Sequence, residues 1–293
     1  MHAKPSFDGD AIASGVAVRG AAAAVAASPR ALRVPDSFFR YAALVGTLGV
    51  VAWSIDRLNI DLDRLPGVLG RMGTTLAQRY FPPNVAHVVQ PDYLHSVLET
   101  LQMSYLATVF GLLLAIPLAW LASHNVTPSP RIGYPIARLV VIACRSVHEM
   151  IWTILLVAIL GFGMLPGVIA LTLFCVGFAG KLFAEAVEAV DDGPVEALRA
   201  AGANAMQVFV FAVLPQVRVA WAGIAIYTWD VVFRASTVVG FFGAGGMGHY
   251  LRESVQKVES RQVSAIILTI VVIVIVAELF SAWARARIAK AVA

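Results

Sequence analysis

The sequence predicts an all-α integral membrane protein with about six transmembrane helices. Of its 293 residues, 59% are hydrophobic and 14% are charged, and the mean hydropathy is +0.78. A soluble domain carries about 25% charged and roughly 45–50% apolar residues. The apolar excess falls into runs of roughly 18–25 residues, each long enough to cross the hydrocarbon layer as a helix. These observations exclude a cytosolic enzyme, a disordered chain and a secreted disulfide scaffold.

The first predicted elements are an N-terminal tail, a span and an external helix. Residues 1–37 mix Ala, Gly, Ser and Pro with scattered basic residues, which favours a disordered cytoplasmic tail over a signal peptide. The first span follows at 38–55. In 61–80 apolar residues recur at helical spacing, with polar residues on the other side. We therefore expect an amphipathic helix in the external membrane interface.

Five further spans follow, and the basic residues predict their orientation. The spans are placed at 97–121, 138–160, 165–182, 217–241 and 263–283. With the N-terminus inside, thirteen Lys and Arg lie on cytoplasmic segments and seven on external ones, while Arg145 and Arg234 lie within spans. Cytoplasmic loops carry the basic excess of membrane proteins, so both termini are predicted to be cytoplasmic. The isoelectric point near 9.3 then reflects topology, because no stretch clusters Lys and Arg as a nucleic-acid site would.

Both cysteines, Cys144 and Cys175, lie inside apolar runs. We expect them to be small buried hydrophobic residues, neither a disulfide nor a metal site. The sequence shows no nucleophile–base pair and no cluster of metal ligands. It therefore predicts no catalytic residues and no metal in this chain.

The longest cytoplasmic loop, 183–216, carries the signals of a helix-turn-helix. A Gly-Pro pair at 193–194 suits a helix entrance, and an acidic residue two positions later favours the positive end of the helix dipole. Gly202 can take the left-handed conformation that ends such a helix, Asn204 can cap a second helix, and Pro215 opens the next span. Apolar side chains on this loop favour a partner site over a simple connector. They are Ala197, Leu198, Val208, Phe209 and Phe211.

This loop resembles the coupling loop of permeases in binding-protein-dependent ATP-binding-cassette (ABC) importers. The motif reads Glu196-Ala197-Leu198, three residues, Gly202, nine residues, then Ala212-Val213-Leu214-Pro215. The family pattern is Glu-Ala-Ala, Gly, then Ile-x-Leu-Pro at this spacing, so Leu198 and Ala212 are departures. The resemblance implies that 193–211 dock into a separate ATPase subunit, which binds ATP and magnesium. The coupling residues it implies are Glu196, Ala197, Leu198, Gly202, Leu214 and Pro215.

Other segments resemble one subfamily, the permeases of phosphonate importers. They are 180–188, 234–240, 243–248 and Leu98-Glu99-Thr100. The likeness covers 97–290 well, as a core permease domain, and covers 38–96, with the first span and external helix, loosely. His148 departs from it, standing where proline is expected. The resemblance implies a type I ABC importer permease fold in a bacterial inner membrane, and a homodimer with two ATPase subunits and an extracytoplasmic substrate-binding protein.

Two predicted spans contain charged residues, which cost on the order of 2.5–3.5 kcal/mol at the bilayer centre unless they are paired or face the bundle interior. In the fifth span Asp230 and Arg234 stand in the favoured i, i+4 order. Two interpretations stay open: a structural pair that fixes helix packing, or a hydrated path that passes an anion. The candidate path residues are Tyr227, Asp230, Arg234, Ser236 and Thr237, and in the third span Arg145, His148 and Glu149.

A glycine-rich turn follows the fifth span, with glycines at Gly243, Gly245, Gly246 and Gly248. The spacing is G-x-G-x-x-G, but a dinucleotide site needs a preceding strand within a βαβ unit. Membrane helices are predicted on both sides here. Glycines at the outer mouth suit a gate or re-entrant turn whose backbone N–H groups approach an anion, and a plain turn is the alternative.

The sequence thus predicts a non-enzymatic permease subunit of an ATP-driven ABC importer. It is expected to move phosphonate or a related phosphorus oxyanion by alternating access. One alternative is the same machine carrying another small solute, such as phosphate or an amino acid. Another is a secondary transporter, which would often show inverted repeats with broken helices in both halves. No matching pair of halves is visible in the sequence.

Overall fold

The computed structural model describes residues 36–58 and 65–292, and the side chains of 39–58 and 67–288. Every regular element in these residues is a helix. The predicted tail, 1–37, lies outside the described residues except for its last two positions, which already belong to the first helix. The described part of the chain therefore confirms the all-α prediction.

The chain forms two compact units, divided after Leu69. The described part of the first unit consists of α1, Asp36–Arg57, and the start of α2, Leu65–Thr75. α1 covers 38–55, where the first span was predicted, and its large apolar side chains are exposed. It is not among the helices whose described residues are long and apolar enough to cross a membrane.

The second unit holds the remaining helices, which run nearly end to end. After a π-helical turn at Leu76–Tyr80 they are α3 Val85–Val88, α4 Pro91–Ala122, α5 Gly133–Ser146, α6 Glu149–Leu160, α7 Met164–Glu188, α8 Asp192–Ala200, α9 Ala205–Val208, α10 Leu214–Val239, α11 Gly246–Gln256 and α12 Ser260–Val292. Two further π-helical turns, Phe209–Val213 and Gly240–Ala244, adjoin the two ends of α10.

Four helical stretches are long and apolar enough to cross a membrane: α4, α7, the run Ala205–Ala244 around α10, and Ser260–Ile288 of α12. The pair α5 and α6 would make a fifth span, although it is bent by 85°. The described residues therefore provide four or five such spans by length and composition, where the sequence predicted about six. The span predicted at 138–160 is broken rather than straight.

The predicted external helix is confirmed as helical from Leu65 onward, through α2 and its π-helical turn. Its outward apolar residues include Leu69, Met72 and Leu76. The Ser264 hydroxyl donates a 2.7 Å hydrogen bond to the Tyr80 carbonyl and so fixes the end of this element to α12. Its position in the membrane interface stays a prediction.

The core of the second unit is a close contact between α4 and α7. Small residues line it, among them Ala107, Ala115 and Ala179. At Gly111 the backbones come so near that a Cβ atom would lie 2.4 Å from the Cys175 Sγ atom. Without a hydrophobic driving force between helices in lipid, such small residues are what allow dense packing. Both cysteines are buried free thiols, as predicted.

Candidate coupling surface and translocation path

α8 is the helix that the signals in the 183–216 loop predicted, and it begins slightly earlier than the Gly-Pro pair. The Asp191 carboxylate caps it by accepting a 3.1 Å hydrogen bond from the Gly193 N–H. Pro194 lies in the first turn, where its missing N–H costs nothing because that donor has no partner within the helix. The negative charge of the Asp191 carboxylate is also stabilised by the positive end of the helix dipole.

The end of α8 depends on Gly202, which has a φ of +84°. The Gly202 N–H donates to the Arg199 carbonyl at 3.0 Å, and the Ala203 N–H donates to the Leu198 carbonyl at 3.0 Å. This pair of bonds is a Schellman motif, in which the left-handed residue reverses the chain. Asn204 and Gln207 then form a reciprocal capping box that starts α9. Both sequence predictions for this turn are confirmed.

The side chains predicted to form the partner site divide into an exposed set and a buried set. Phe211 is 70% exposed, and Glu196, Ala197 and Met206 are exposed as well. Val208 and Phe209 were predicted to belong to the exposed partner site, and this is wrong: they are only 2% and 7% exposed. Leu198 is half-buried against the core. The free surface is therefore the α8 face together with Met206 and Phe211.

Phe209 instead seats the loop on the membrane helices. Its ring lies 5.2 Å from that of Trp120 on α4 and 6.2 Å from that of Trp221 on α10. Trp221 stacks on Phe183 at 4.6 Å and donates its indole N–H to the Phe183 carbonyl. Phe209 therefore connects the loop to α4 and α10, and through Trp221 to α7. Leu214 and Pro215 begin α10, which forms one continuous helical stretch with α9.

The acid–base pair predicted on the fifth span is present. The Arg234 guanidinium donates to the Asp230 carboxylate at 2.8 Å, one helical turn apart. The Asp230 side chain is 3% exposed, whereas that of Arg234 is 43% exposed. The second carboxylate oxygen of Asp230 is buried and accepts no hydrogen bond from the described residues. The Arg234 guanidinium thus contacts the buried Asp230 carboxylate and is itself partly exposed.

The other candidates on α10 differ in exposure. Tyr227 is exposed and packs near Phe178, with the Arg285 guanidinium 5.9 Å from its ring centre. Ser236 and Thr237 are buried, and their hydroxyls donate to carbonyls of their own helix. Of the predicted stripe, Tyr227 and Arg234 therefore offer polar groups to the open surface, while Ser236 and Thr237 do not.

Arg145, His148 and Glu149 do not form a second stripe on one straight helix. Arg145 lies in the last turn of α5, and His148 caps α6 by accepting a 3.4 Å hydrogen bond from the Met150 N–H at its Nδ1 atom. The 85° bend separates the two helices at this point. The prediction of one helical span over 138–160 is wrong at this point, because the chain is extended at Val147 and His148.

The glycine turn is a close-packed element. Gly243, Gly245 and Gly246 have positive φ angles of 110°, 88° and 65°. The Gly246 N–H donates to the Glu99 carboxylate at 3.1 Å, and the Met247 N–H donates to the Thr100 hydroxyl at 2.9 Å. These two donors were expected to face an anion, but here they are satisfied by α4. Gly248 also packs closely, because a Cβ there would lie 2.2 Å from the Thr237 carbonyl oxygen.

Thr100→Val should loosen the glycine turn without changing the shape of the buried site. The Met247 N–H would lose its acceptor inside the protein, which costs about 1–3 kcal/mol. We expect a lower Tm of the detergent-solubilised protein and faster amide exchange at Met247. Thr172→Val is the matched control, since that hydroxyl donates to Val168 of its own helix. Equal Tm values for the two variants would contradict the anchoring role.

Together these elements define a class of protein. It is a helical bundle with several spans, a capped and partly apolar helix between two of them, and an ion pair within a span whose carboxylate is buried. The family model described as "Binding-protein-dependent transport system inner membrane component" matches residues 107–293. The chain belongs to this family, that of inner-membrane permease subunits of ABC transporters. It is therefore a multi-pass inner-membrane protein.

Several curated proteins are similar to this chain. A phosphite transport system permease protein of Stutzerimonas stutzeri is 41% identical over 83% of this chain and 86% of its own length. A phosphate-import permease protein of Mycolicibacterium smegmatis is 39% identical over 72% of this chain, which corresponds to 39% of that longer protein. A cryptic phosphonate transport system permease protein of Escherichia coli, itself described as putative, is 40% identical over 36% of this chain.

Solved structures confirm the fold. An inward-facing MetNI methionine ABC transporter covers 67% of this chain and 95% of its own, with a TM-score of 0.58 at 20% identity. A bacterial ABC transporter involved in the import of alginate covers 85% of this chain and 96% of its own, with a TM-score of 0.56 at 17% identity. The chain has the type I ABC importer permease fold.

Proposed function

We propose that this chain is the permease of an ATP-driven importer for phosphite, phosphonate or phosphate, which share a compact phosphorus oxyanion. The observation that carries the proposal is the α8 surface. A capped helix with an exposed Glu196 and Ala197, followed by a segment that packs through Phe209 on an aromatic cluster of three spans, fits an ATPase docking site. The relatives named for phosphite, phosphate and phosphonate transport support the substrate class.

The functional assembly in this proposal is a homodimer, with one ATPase subunit at each α8 and a substrate-binding protein on the external face. ATP and magnesium bind to the ATPase subunits. Both chain termini lie in the cytoplasm, as the distribution of Lys and Arg favours. ATP binding can shift the permease between inward-facing and outward-facing states only if it stabilises one of them more than the other.

Force from the ATPase reaches the path by a short route. α8 is followed by α9, and from α9 to the end of α10 the chain is one helical stretch that carries the Asp230–Arg234 pair. Arg234 contacts the anion in transit through its exposed N–H groups while Asp230 holds its orientation. Tyr227 lines the same path. The glycine turn serves as a gate, and the hydrogen bonds to Glu99 and Thr100 support this by giving the turn a fixed position against α4.

Uptake by the reconstituted complex tests this function. The permease is co-expressed with an ATPase and a binding protein from the same operon, and uptake of labelled phosphite, phosphate, a phosphonate and methionine is measured with and without ATP. We expect ATP-dependent uptake of one or more of the phosphorus oxyanions, and none of methionine. Methionine uptake alone would refute the substrate class, and ATP-independent uptake would refute the ABC mechanism.

A further inference from the structure

The short segment 123–126, between α4 and α5, is held from several sides at the same membrane face as α8. The Ser123 hydroxyl donates to the Ala184 carbonyl at 3.3 Å, and the Asn125 amide donates to the Val187 carbonyl at 3.0 Å. The Trp120 indole N–H donates to the Val126 carbonyl at 3.2 Å. This segment, which we name the clasp, is therefore fixed to the end of α7.

An ionic contact strengthens this attachment. The Glu188 carboxylate accepts hydrogen bonds from the His124 backbone N–H at 3.1 Å and from Arg138 on α5, and lies 3.0 Å from the His124 Nδ1 atom. Three elements meet at a single carboxylate: the clasp, α5 and α7. A hydrogen bond to a charged group is stronger than a neutral one, so the three should move together.

The clasp is also bonded to the ATPase-docking helix. The Arg199 guanidinium, in the last turn of α8, donates to the Asn125 backbone carbonyl at 2.6 Å. Arg199 follows the Glu196 position by less than one helical turn. It joins α8 to a segment that is distant in sequence and is itself tied to α5 and α7.

We propose that Arg199 is a positioning residue that passes the movement of α8 through the clasp to α4 and α5. This inference rests on the proposed function, because it assumes that an ATPase moves α8. Along the chain α8 is joined to α7 through residues 189–191 and to α10 through α9, but to neither α4 nor α5. Phe209 contacts α4 only by ring packing against Trp120. The Arg199–Asn125 bond supplies a directional link from α8 to the clasp, so that α4 and α5 move together with α7 and α10.

The test compares three variants in proteoliposomes that contain the full transporter: Arg199→Ala, Arg199→Lys and Arg131→Ala. Arg131 is an exposed arginine in the same α4–α5 connection and serves as the matched control. For Arg199→Ala we expect normal co-purification of the ATPase, retained ATP hydrolysis, and about tenfold less substrate imported per ATP, the effect of losing one charge-assisted hydrogen bond. Arg199→Lys should recover part of the loss, since Lys can donate to the carbonyl, and Arg131→Ala should match wild type.

Amide exchange gives a second measurement. In wild type, nucleotide should change the exchange of peptides that cover 123–132, and Arg199→Ala should abolish that change while α8 still responds. An unchanged uptake-to-hydrolysis ratio in Arg199→Ala would overturn the proposal. So would loss of ATPase co-purification in both Arg199 variants, which would make Arg199 an ATPase contact. Absence of any wild-type uptake would refute the proposed function instead.

Discussion

Replacing Gly202 by valine should abolish ATP-driven uptake while leaving the permease in the membrane. Gly202 has a φ of +84°, and nothing lies within 4 Å of the position of an added Cβ. The cost is therefore one of backbone conformation, about 1–2 kcal/mol for an L-residue and more for a β-branched one. This strain would act on the Schellman turn at Gly202, which fixes the direction of the chain at the end of α8. Because the turn lies outside the packed core, we expect normal membrane levels and at least about tenfold less uptake.

Gly202→Asn is the control that isolates this cause. Asparagine tolerates the left-handed region that valine avoids, and it adds a side chain of similar size. It should keep most of the uptake. Transport is measured in inverted and right-side-out vesicles, with membrane levels checked by immunoblot. If Gly202→Val transports as well as Gly202→Asn, the geometry of this turn does not matter for coupling.

Arg234→Ala should lower the amount of folded permease and also abolish anion transport. Removal of the guanidinium leaves the Asp230 carboxylate buried with neither oxygen paired among the described residues. Breaking a buried pair in this way costs about 3–5 kcal/mol. That is a large part of a typical folding free energy of roughly 5–15 kcal/mol. Size-exclusion profiles and Tm values of the purified protein measure the loss.

The double variant Asp230→Asn with Arg234→Ala separates the structural role from the path role. It removes both charges, so no unpaired carboxylate stays buried, and the folded protein should return to near wild-type levels. Anion uptake should stay lost, since no guanidinium is left to contact the substrate. Recovery of uptake together with folding would show that the pair serves packing alone.

Local signals in the sequence predicted the helix-turn-helix of α8 and α9 well. The caps at Asn204 and Gly202 depend on residues within one or two turns, so residue type and spacing are enough to identify them. The i, i+4 pair of Asp230 and Arg234 is equally local. Four of the predicted spans followed from the length of the apolar runs, and the loop motif pointed to the family to which the chain belongs.

Contacts between residues far apart in the chain could not be predicted. Gly246 and Met247 find their acceptors on Glu99 and Thr100, 147 residues away. Phe209 looked like an exposed apolar residue because its partner Trp120 lies on another helix. The break at His148 was also missed, although the departure from proline there marked the right position. Each of these contacts depends on which helices pack together, and local sequence patterns do not contain that information.

The packing of Gly111 against Cys175 has a practical consequence for site-directed labelling. Cys175 is fully buried and Cys144 nearly so. A maleimide in the aqueous phase should therefore leave both native thiols unmodified in the folded protein. Single cysteines introduced at Tyr227, Arg234 or Phe211 can then be probed for water accessibility in the wild-type background, and their reactivity with and without ATP would follow the opening of each membrane face.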